Sequence, residues 1–160
     1  MMDSWAEEQQ GVLVTPLGTL VARWRGKALT ALSLPRADRV STAITATVPD
    51  WLAESLAAYF ADPRHRFALS LAPTGTPFQQ RVWQMLPSLA PGQVYTYGAV
   101  ARMLGSGARA IGQACRANPC LIVVPCHRVV AVDGLGGFGG VTAGPQLAVK
   151  QWLLRHEAAC

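Results

Sequence analysis

Residues 120–130 read CLIVVPCHRVV, an uninterrupted apolar run followed by a proline, a cysteine and two residues that can carry positive charge. An apolar run without polar alternation predicts a buried strand or a tightly packed core segment. Pro125 ends that run in a turn. The segment therefore places a thiol, that of Cys126, at the edge of a hydrophobic core.

Cys126 is the candidate nucleophile of the chain. His127 and Arg128 follow it directly, and neighbouring cations lower a cysteine pKa and so favour the reactive thiolate. The alternative is an inert buried cysteine, which is the commoner state of this residue type. The segment by itself is compatible with both interpretations.

Length and composition limit the class of protein. The 160 residues, 51% of them hydrophobic, predict a folded chain of one domain or two small ones. No apolar stretch approaches the roughly 20 residues of a membrane span, and the acidic, polar start does not resemble a secretory signal. The four cysteines, at positions 115, 120, 126 and 160, form no CxxC pair. We therefore expect no zinc or other metal site, and a reduced cytosolic protein.

Charge is distributed unevenly along the chain. Residues 1–76 hold seven Lys/Arg and seven Asp/Glu, whereas residues 77–160 hold seven Lys/Arg and two Asp/Glu, a net charge of +5. A basic half-chain suits a protein that neutralises nucleic-acid phosphates. An ordinary basic surface would have the same composition.

The N-terminal part predicts a small mixed α/β unit. Two short strands joined by a Pro-Leu-Gly turn fall within residues 11–24, and a third covers 28–34. Residues 35–48 are typical of a loop. Asp50 is the predicted cap of a helix that ends near Asp62.

No catalytic constellation occurs in this part. His65, between two arginines, is interpreted as solvated. The sequence APTG at 72–75 predicts a boundary, giving an N-terminal domain over 1–74 and a C-terminal domain over 75–160.

The C-terminal part predicts a helix-turn-helix arrangement. Thr76–Gln79 is a capping box with proline at the first helical position. Thr96 caps a second helix, with Met103 predicted on its inward face. A tight turn over Gly105–Gly107 then leads into a helix over 108–117.

The helix over 108–117 has two distinct sides. Ala108, Ile111 and Cys115 are predicted to face inward. The other side presents basic, polar and small residues: Arg109, Ala110, Gly112, Gln113, Arg116 and Ala117. Small residues beside basic ones allow a helix to approach a nucleic-acid groove closely. An amphipathic helix with a solvated basic face remains the plain alternative.

Taken together, these segments resemble the O6-alkylguanine-DNA alkyltransferases, also called methylated-DNA–protein-cysteine methyltransferases. The resemblance covers about residues 75–157 and is carried by NP-CLIVV-PCHRVV and by motifs at 75–83, 91–97, 108–112 and 147–154. It implies an α/β (α+β) chain, in which a small supporting N-terminal domain precedes a mostly helical, winged-helix-like DNA-binding domain. It also implies one irreversible alkyl transfer per molecule from O6-alkylguanine, and from O4-alkylthymine, to Cys126.

The resemblance assigns a role to each residue of the reaction. Cys126 is the nucleophile, His127 acts on its thiol through a water molecule, and Glu157 orients that histidine. Tyr97 donates a proton to the guanine ring, and Asn118 braces the turn beneath the cysteine. A solvated terminal glutamate and an ordinary turn asparagine are the plain alternatives for Glu157 and Asn118.

The resemblance also implies how DNA and the flipped base are held. The helix over 108–117 enters the minor groove, and Arg109 fills the stack that the flipped nucleotide leaves. The implied DNA-binding set is Thr96, Ala108, Arg109, Ala110, Gly112, Gln113 and Arg116. The implied base pocket is Val129, Phe138 and Gly139. Residues 141–145 lengthen the glycine-rich loop relative to the family pattern.

The expected partner is therefore duplex DNA that carries O6-alkylguanine, and no cofactor is implied. We expect a monomer in the cytoplasm, nucleoid-associated if the source is bacterial. The alternative within the fold is a lesion-binding protein without transfer, although such proteins carry another residue at the position of Cys126. A plain transcription factor would not need the Cys-His-Glu set, and a cysteine hydrolase would not need the basic helix.

Overall fold

The structure is a computed structural model that describes residues 7–35, 44–134, 136 and 145–158. It has the mixed α/β class predicted from the sequence. The chain divides into two compact units, residues 1–74 and 75–160. Among the described residues, no helix has the length and apolar character needed to cross a bilayer.

The first unit contains a four-stranded sheet. Its strands are β1 (Gln9–Thr15), β2 (Gly18–Arg25), β3 (Ala28–Ser33) and β4 (Ser70–Leu71), in the order β1-β2-β3-β4. The first three strands are antiparallel, and β4 pairs with β3 in parallel. The two predicted strands, their Pro-Leu-Gly turn and the third strand are thus confirmed.

Helix α1 (Asp50–Ala61) belongs to the same unit as this sheet. The predicted capping by Asp50 is wrong: Asp50 is the first helical residue, Pro49 occupies the cap position, and no side chain caps the helix. An acid in the first turn instead interacts favourably with the helix dipole. The core of this unit is apolar and aromatic: Leu20, Trp24, Leu29, Leu32, Leu52, Leu56 and Tyr59.

His65 and the loop predicted over 35–48 are the other predicted features of this unit. His65 is only half-exposed, and its Nε2 lies 3.3 Å from the Ser55 hydroxyl, so it is not the solvated residue that its arginine neighbours suggested. Most of the loop predicted over 35–48, residues 36–43, lies outside the described part of the chain.

The second unit begins with helix α2 (Pro77–Met85). The predicted capping box is present, since Thr76 Oγ1 accepts from Gln79 N while Gln79 Oε1 accepts from Thr76 N. A 3-10 turn, Leu86–Ser88, follows the helix. Burial of Val82, Trp83 and Leu86 anchors this segment in the core.

Helices α3 (Tyr97–Leu104) and α4 (Ala108–Arg116) form the predicted helix-turn-helix. Gly105 ends α3 with a φ of +64°, in the left-handed region that glycine adopts without a steric penalty. Two placements were wrong. Met103 is 56% exposed and Ala108 is exposed, because each helix spans only about two turns and has a narrow buried stripe.

The remaining elements bring the Cys126 segment to the core. Strands β5 (Tyr95–Thr96) and β6 (Val129–Val130) pair in parallel, and a 3-10 turn, Cys126–Arg128, leads directly into β6. The final helix, α5 (Pro145–Ala158), packs against that turn. Pairing of β6, which directly follows the turn, with β5 and packing of α5 hold Cys126–Arg128 in place.

Candidate active site

The segment before Cys126 is a compact turn. Val123 N donates to Leu121 O at 2.8 Å, and Val124 N donates to Cys120 O at 3.0 Å. Ile122 has a φ of +73°, which is unusual for a β-branched residue. The predicted strand is therefore wrong, and the other reading of the run, a tightly packed core segment, is correct.

Asn118 lies within this turn and bonds to both of its ends. Its Nδ2 donates to Val124 O at 2.9 Å, and its Oδ1 accepts from Cys120 N at 3.0 Å. The side chain is buried. These two bonds satisfy backbone groups that the turn would otherwise leave unpaired in the core.

The Cys126 thiol is buried, with 5% of the residue exposed. Burial raises its pKa, and the hydrogen bond with Asn118 and the charge of Lys150 counteract this only in part. The expectation that neighbouring cations favour the thiolate is wrong in its net direction. Desolvation is the larger effect, so the resting group is a thiol that needs a proton acceptor.

His127 and Glu157 form the contact that the sequence interpretation placed between them. His127 Nε2 and Glu157 Oε2 share a hydrogen bond of 2.6 Å, and both side chains are buried. Burial lowers the pKa of His127, although its hydrogen bond with Glu157 raises it. The alternative of a solvated terminal glutamate is excluded.

Arg128 does not supply its charge to the thiol as expected. Its Nε donates to Glu157 Oε1 at 2.8 Å, its Nη2 to Glu157 Oε2 at 3.0 Å, and its Nη1 to Leu89 O at 2.6 Å. The guanidinium and the carboxylate thus form a buried bidentate ion pair.

Lys150 is a site residue that the sequence interpretation did not identify. It is fully buried on α5 and its Nζ donates to Val129 O at 2.8 Å. Burial lowers its pKa. A signal was present in the sequence, since Lys150, Leu153 and Glu157 stand at i, i+3 and i+7 and share one helix face.

The site is chemically distinct from the rest of the core. In the described part of the chain, every buried charged, imidazole or amide side chain belongs to it: Asn118, His127, Arg128, Lys150 and Glu157. Such groups are costly to bury without a function or a full set of partners. Asn118 and Lys150 act on the Cys126 thiol, and the next two residues, His127 and Arg128, bond to Glu157. Such a cluster beside a thiol is typical of nucleophilic catalysis.

Tyr97 lies between two glycines. A Cβ at Gly136 would stand 2.7 Å from the Tyr97 hydroxyl oxygen, and one at Gly112 would stand 4.0 Å from its ring. The side chain is half-buried.

The predicted base pocket is described only in part. Val129 is buried directly after the Cys126 turn. Phe138, Gly139 and the additional loop residues 141–144 lie outside the described part of the chain.

Helix α4 presents a polar surface. Arg109, Gln113 and Arg116 are exposed, while Ala110 and Gly112 are half-buried between them. Thr96 is half-buried, and its hydroxyl accepts from Ala99 N at 3.0 Å, so the predicted helix cap is confirmed.

Two side chains that the sequence interpretation did not identify hold the helix-turn-helix in place. Trp83 Nε1 donates to Ala114 O at 2.9 Å, and Arg81 Nη2 donates to Leu104 O at 3.0 Å. Each bond satisfies a carbonyl in the last turn of a helix.

Comparison with known proteins gives the family. Residues 77–159 match the profile described as "6-O-methylguanine DNA methyltransferase, DNA binding domain". The constitutive methylated-DNA–protein-cysteine methyltransferase of Bacillus subtilis is 38% identical over 154 residues, which cover 89% of this chain and 91% of that protein. The chain belongs to the O6-methylguanine DNA methyltransferase family.

Other members of the family are also similar to this chain in sequence and in structure. The methylated-DNA–protein-cysteine methyltransferase of Salmonella typhimurium is 48% identical over 118 residues, which cover 71% of this chain but only 66% of that relative. A crystal structure of the Mycobacterium tuberculosis O6-methylguanine methyltransferase superposes with a TM-score of 0.79 at 33% identity, covering 96% of this chain and 94% of the other. The M. tuberculosis OGT in complex with DNA gives 0.78 at 32% identity, covering 94% and 93%. The resemblance seen in the sequence and the fold class are thereby confirmed.

Proposed function

We propose that this protein repairs DNA directly, by moving the alkyl group from O6 of an alkylated guanine to Sγ of Cys126. One observation carries the proposal: a buried thiol follows the turn braced by Asn118, and the next residue is a histidine bonded to a buried glutamate at 2.6 Å. Family membership supports the same activity.

The bond changes balance without an added reactant. His127 takes the thiol proton, through a water molecule, and Sγ attacks the alkyl carbon opposite O6. The carbon–O6 bond breaks and its electron pair stays on the base, which accepts a proton from Tyr97. The proton taken up by His127 then replaces the one that Tyr97 gave, through exchange with solvent. The products are guanine and S-alkyl-Cys126. A thioether is a poor leaving group and none of the described residues is suited to cleave it, so each molecule reacts once.

Duplex DNA is the proposed partner, bound through the exposed face of α4. Arg109, Gln113 and Arg116 supply donors for phosphates and bases, and the small residues between them allow close approach to the minor groove. Since Cys126 is buried, a base stacked in the duplex cannot bring its alkyl carbon to the thiol. The lesion must therefore be flipped out of the helix, and Arg109 would fill the gap.

The remaining assignments follow from this reaction. We propose that residues 75–160 carry DNA binding and transfer and that residues 1–74 support them. Val129, Phe138 and Gly139 would hold the flipped base, and Thr96, Ala108, Ala110 and Gly112 would line the DNA-binding surface. O4-alkylthymine would be a second substrate. We place the protein in the cytoplasm as a monomer.

The test is intact-protein and peptide mass spectrometry after mixing the protein with duplex DNA that carries one O6-methylguanine. We expect one methyl group per molecule on the Cys126 peptide, and none in Cys126→Ser. Cys115→Ser and Cys120→Ser are the matched controls, because both thiols are also buried, and both should still be methylated at Cys126. Lesion binding without transfer would indicate a damage-binding protein instead, and absence of both would refute the proposal.

A further inference from the structure

The carboxylate of Glu157 has more partners than a simple histidine-orienting acid requires. Oε1 accepts from Arg128 Nε, and Oε2 accepts from Arg128 Nη2 and lies 2.6 Å from His127 Nε2. Arg128 is itself fixed by its bond to Leu89 O, a residue 39 positions earlier in the chain. The guanidinium is therefore held against the carboxylate that contacts His127.

Four ionisable groups surround His127. Cys126 and Arg128 lie on its own turn, and Lys150 and Glu157 lie on α5, the helix packed against that turn. Arg128 and Lys150 both disfavour a positive imidazole, whereas Glu157 favours it. From α4, the Cys115 thiol approaches Cys126 and Lys150 rather than His127; burial raises its pKa to about 12, so it stays neutral.

His127 Nδ1 has no hydrogen-bond partner among the described residues, although it is buried. An ionised carboxylate can only accept hydrogen bonds, so the His127 proton must lie on Nε2 while Glu157 is ionised. Nδ1 then carries a lone pair and can receive a proton. This state depends on the charge of Glu157, and Arg128 is the cation paired with it.

We propose that Arg128 is a positioning residue that keeps Glu157 ionised and so holds His127 as the neutral Nε2–H tautomer, with Nδ1 ready to take the proton of Cys126. The proposal rests on the alkyl transfer proposed above. Arg128 touches neither the thiol nor the base in this scheme, and it acts on the reaction only through Glu157 and His127.

Removal of the guanidinium charge takes the bidentate cationic partner away from a buried carboxylate, which is strongly unfavourable. The His127–Glu157 pair can relieve this by taking up one proton. If His127 takes it, both ring nitrogens are protonated. If Glu157 takes it, Glu157 donates to Nε2 and the ring proton moves to Nδ1. In both cases Nδ1 can no longer accept the thiol proton.

Arg128→Met removes the charge, and Arg128→Lys keeps it without the bidentate geometry. For Arg128→Met we expect the rising limb of the transfer rate against pH to move to higher pH, with about tenfold loss on the acidic side for each unit of displacement. Arg128→Lys should react more slowly, but its transfer rate should rise over the same pH range as that of the wild type. Leu153→Ala, a core substitution on the same face of α5, should lower stability without moving the limb.

Nitrogen-15 NMR of the imidazole reports the proposed state directly, and the resonances are assigned by loss in His127→Gln. In the wild type near neutral pH we expect Nε2 protonated and Nδ1 unprotonated; in Arg128→Met we expect Nδ1 protonated. A protonated Nδ1 in the wild type would refute the proposal even if Arg128→Met does not fold. An unmoved limb in a folded Arg128→Met would refute it as well. Absence of methyl transfer by the wild type would contradict the proposed function, while the NMR comparison would still test the role of Arg128.

Discussion

Lys150 Nζ donates a hydrogen bond of 2.8 Å to the carbonyl oxygen of Val129, three residues beyond Cys126, although the lysine is fully buried. A buried ammonium group is costly to desolvate and persists when nearby groups compensate. The carbonyl of Val129 offsets part of that cost, and a thiolate at Cys126 or Cys115 would raise the pKa of Lys150 against the effect of burial. The bond therefore fixes a cation close to the reactive thiol.

Substitution of Lys150 by methionine should slow alkyl transfer at neutral pH by roughly tenfold or more, because loss of the cation raises the pKa of Cys126 further. Transfer rates measured over a pH series should recover at higher pH. Arg155→Met is the matched control, as Arg155 is exposed on the same helix. Equal rates for the two variants at neutral pH would show that Lys150 does not act on the thiol.

Substitution of Asn118 by alanine should lower the free energy of unfolding by about 2–4 kcal/mol, because Val124 O and Cys120 N both lose a partner in the core. Denaturant unfolding measures this loss. Asn118→Asp keeps the acceptor for Cys120 N but adds a negative charge beside Cys126, so its transfer rate should fall further than its stability. A rate in Asn118→Asp equal to that of the wild type would contradict the link between this turn and the thiol.

Substitution of Arg109 by alanine should reduce transfer from lesions in duplex DNA by about tenfold or more, because the opened duplex loses the side chain that fills it. Reaction with free O6-methylguanine base should be unchanged. Arg116→Ala should weaken binding to lesion-free duplex. The slope of the logarithm of the binding constant against the logarithm of the salt concentration should become shallower by about 1, as expected for a phosphate contact. Arg66→Ala, in the first unit, is the control and should change neither. A loss with the free base equal to that with the duplex would place Arg109 in the transfer step itself.

Stability should decline between about pH 9 and about pH 12, because burial raises the pKa of Cys115 and of Cys120 to about 12. The unfolded chain releases these thiol protons near pH 9 while the folded chain retains them. The unfolded state then binds fewer protons, and stability falls as pH rises. Denaturant unfolding of Cys115→Ala/Cys120→Ala should give a flatter alkaline profile. Val82→Ala should lower stability equally at every pH, and identical alkaline slopes for all three proteins would contradict the assignment.

Much of the fold is visible in local sequence. Capping by Thr76 and Thr96, the glycines of the helix-turn-helix and the alternating strands specify their elements through short-range chemistry. The errors arise where context decides. Residues 121–124 have the composition of a strand, yet Ile122 adopts a positive φ that no propensity predicts for a β-branched side chain. Asp50 has the chemistry of a cap, but the helix begins one residue earlier than that role would need.

Local sequence predicts less of the site than of the fold, because the contacts of the site join residues far apart in the chain. Cys126, His127 and Glu157 could be connected because a family resemblance relates residues 30 positions apart. The contact between Arg128 and Leu89 spans 39 positions, and no local pattern predicts that an arginine beside a cysteine turns toward a distant carbonyl. Lys150 could have been found from its place on the face that carries Glu157, since a lysine on an apolar helix face needs an explanation.

The concentration of all described buried charged, imidazole and amide side chains at one place has a consequence for sequence change. Well-packed apolar residues often stabilise a core more than a buried ion pair does. Replacement of Arg128, Lys150 and Glu157 together by apolar residues of similar volume is therefore expected to yield a more stable protein that cannot react. Selection for thermal stability alone would therefore favour these apolar replacements. Only a screen that also measures alkyl transfer would retain the original residues.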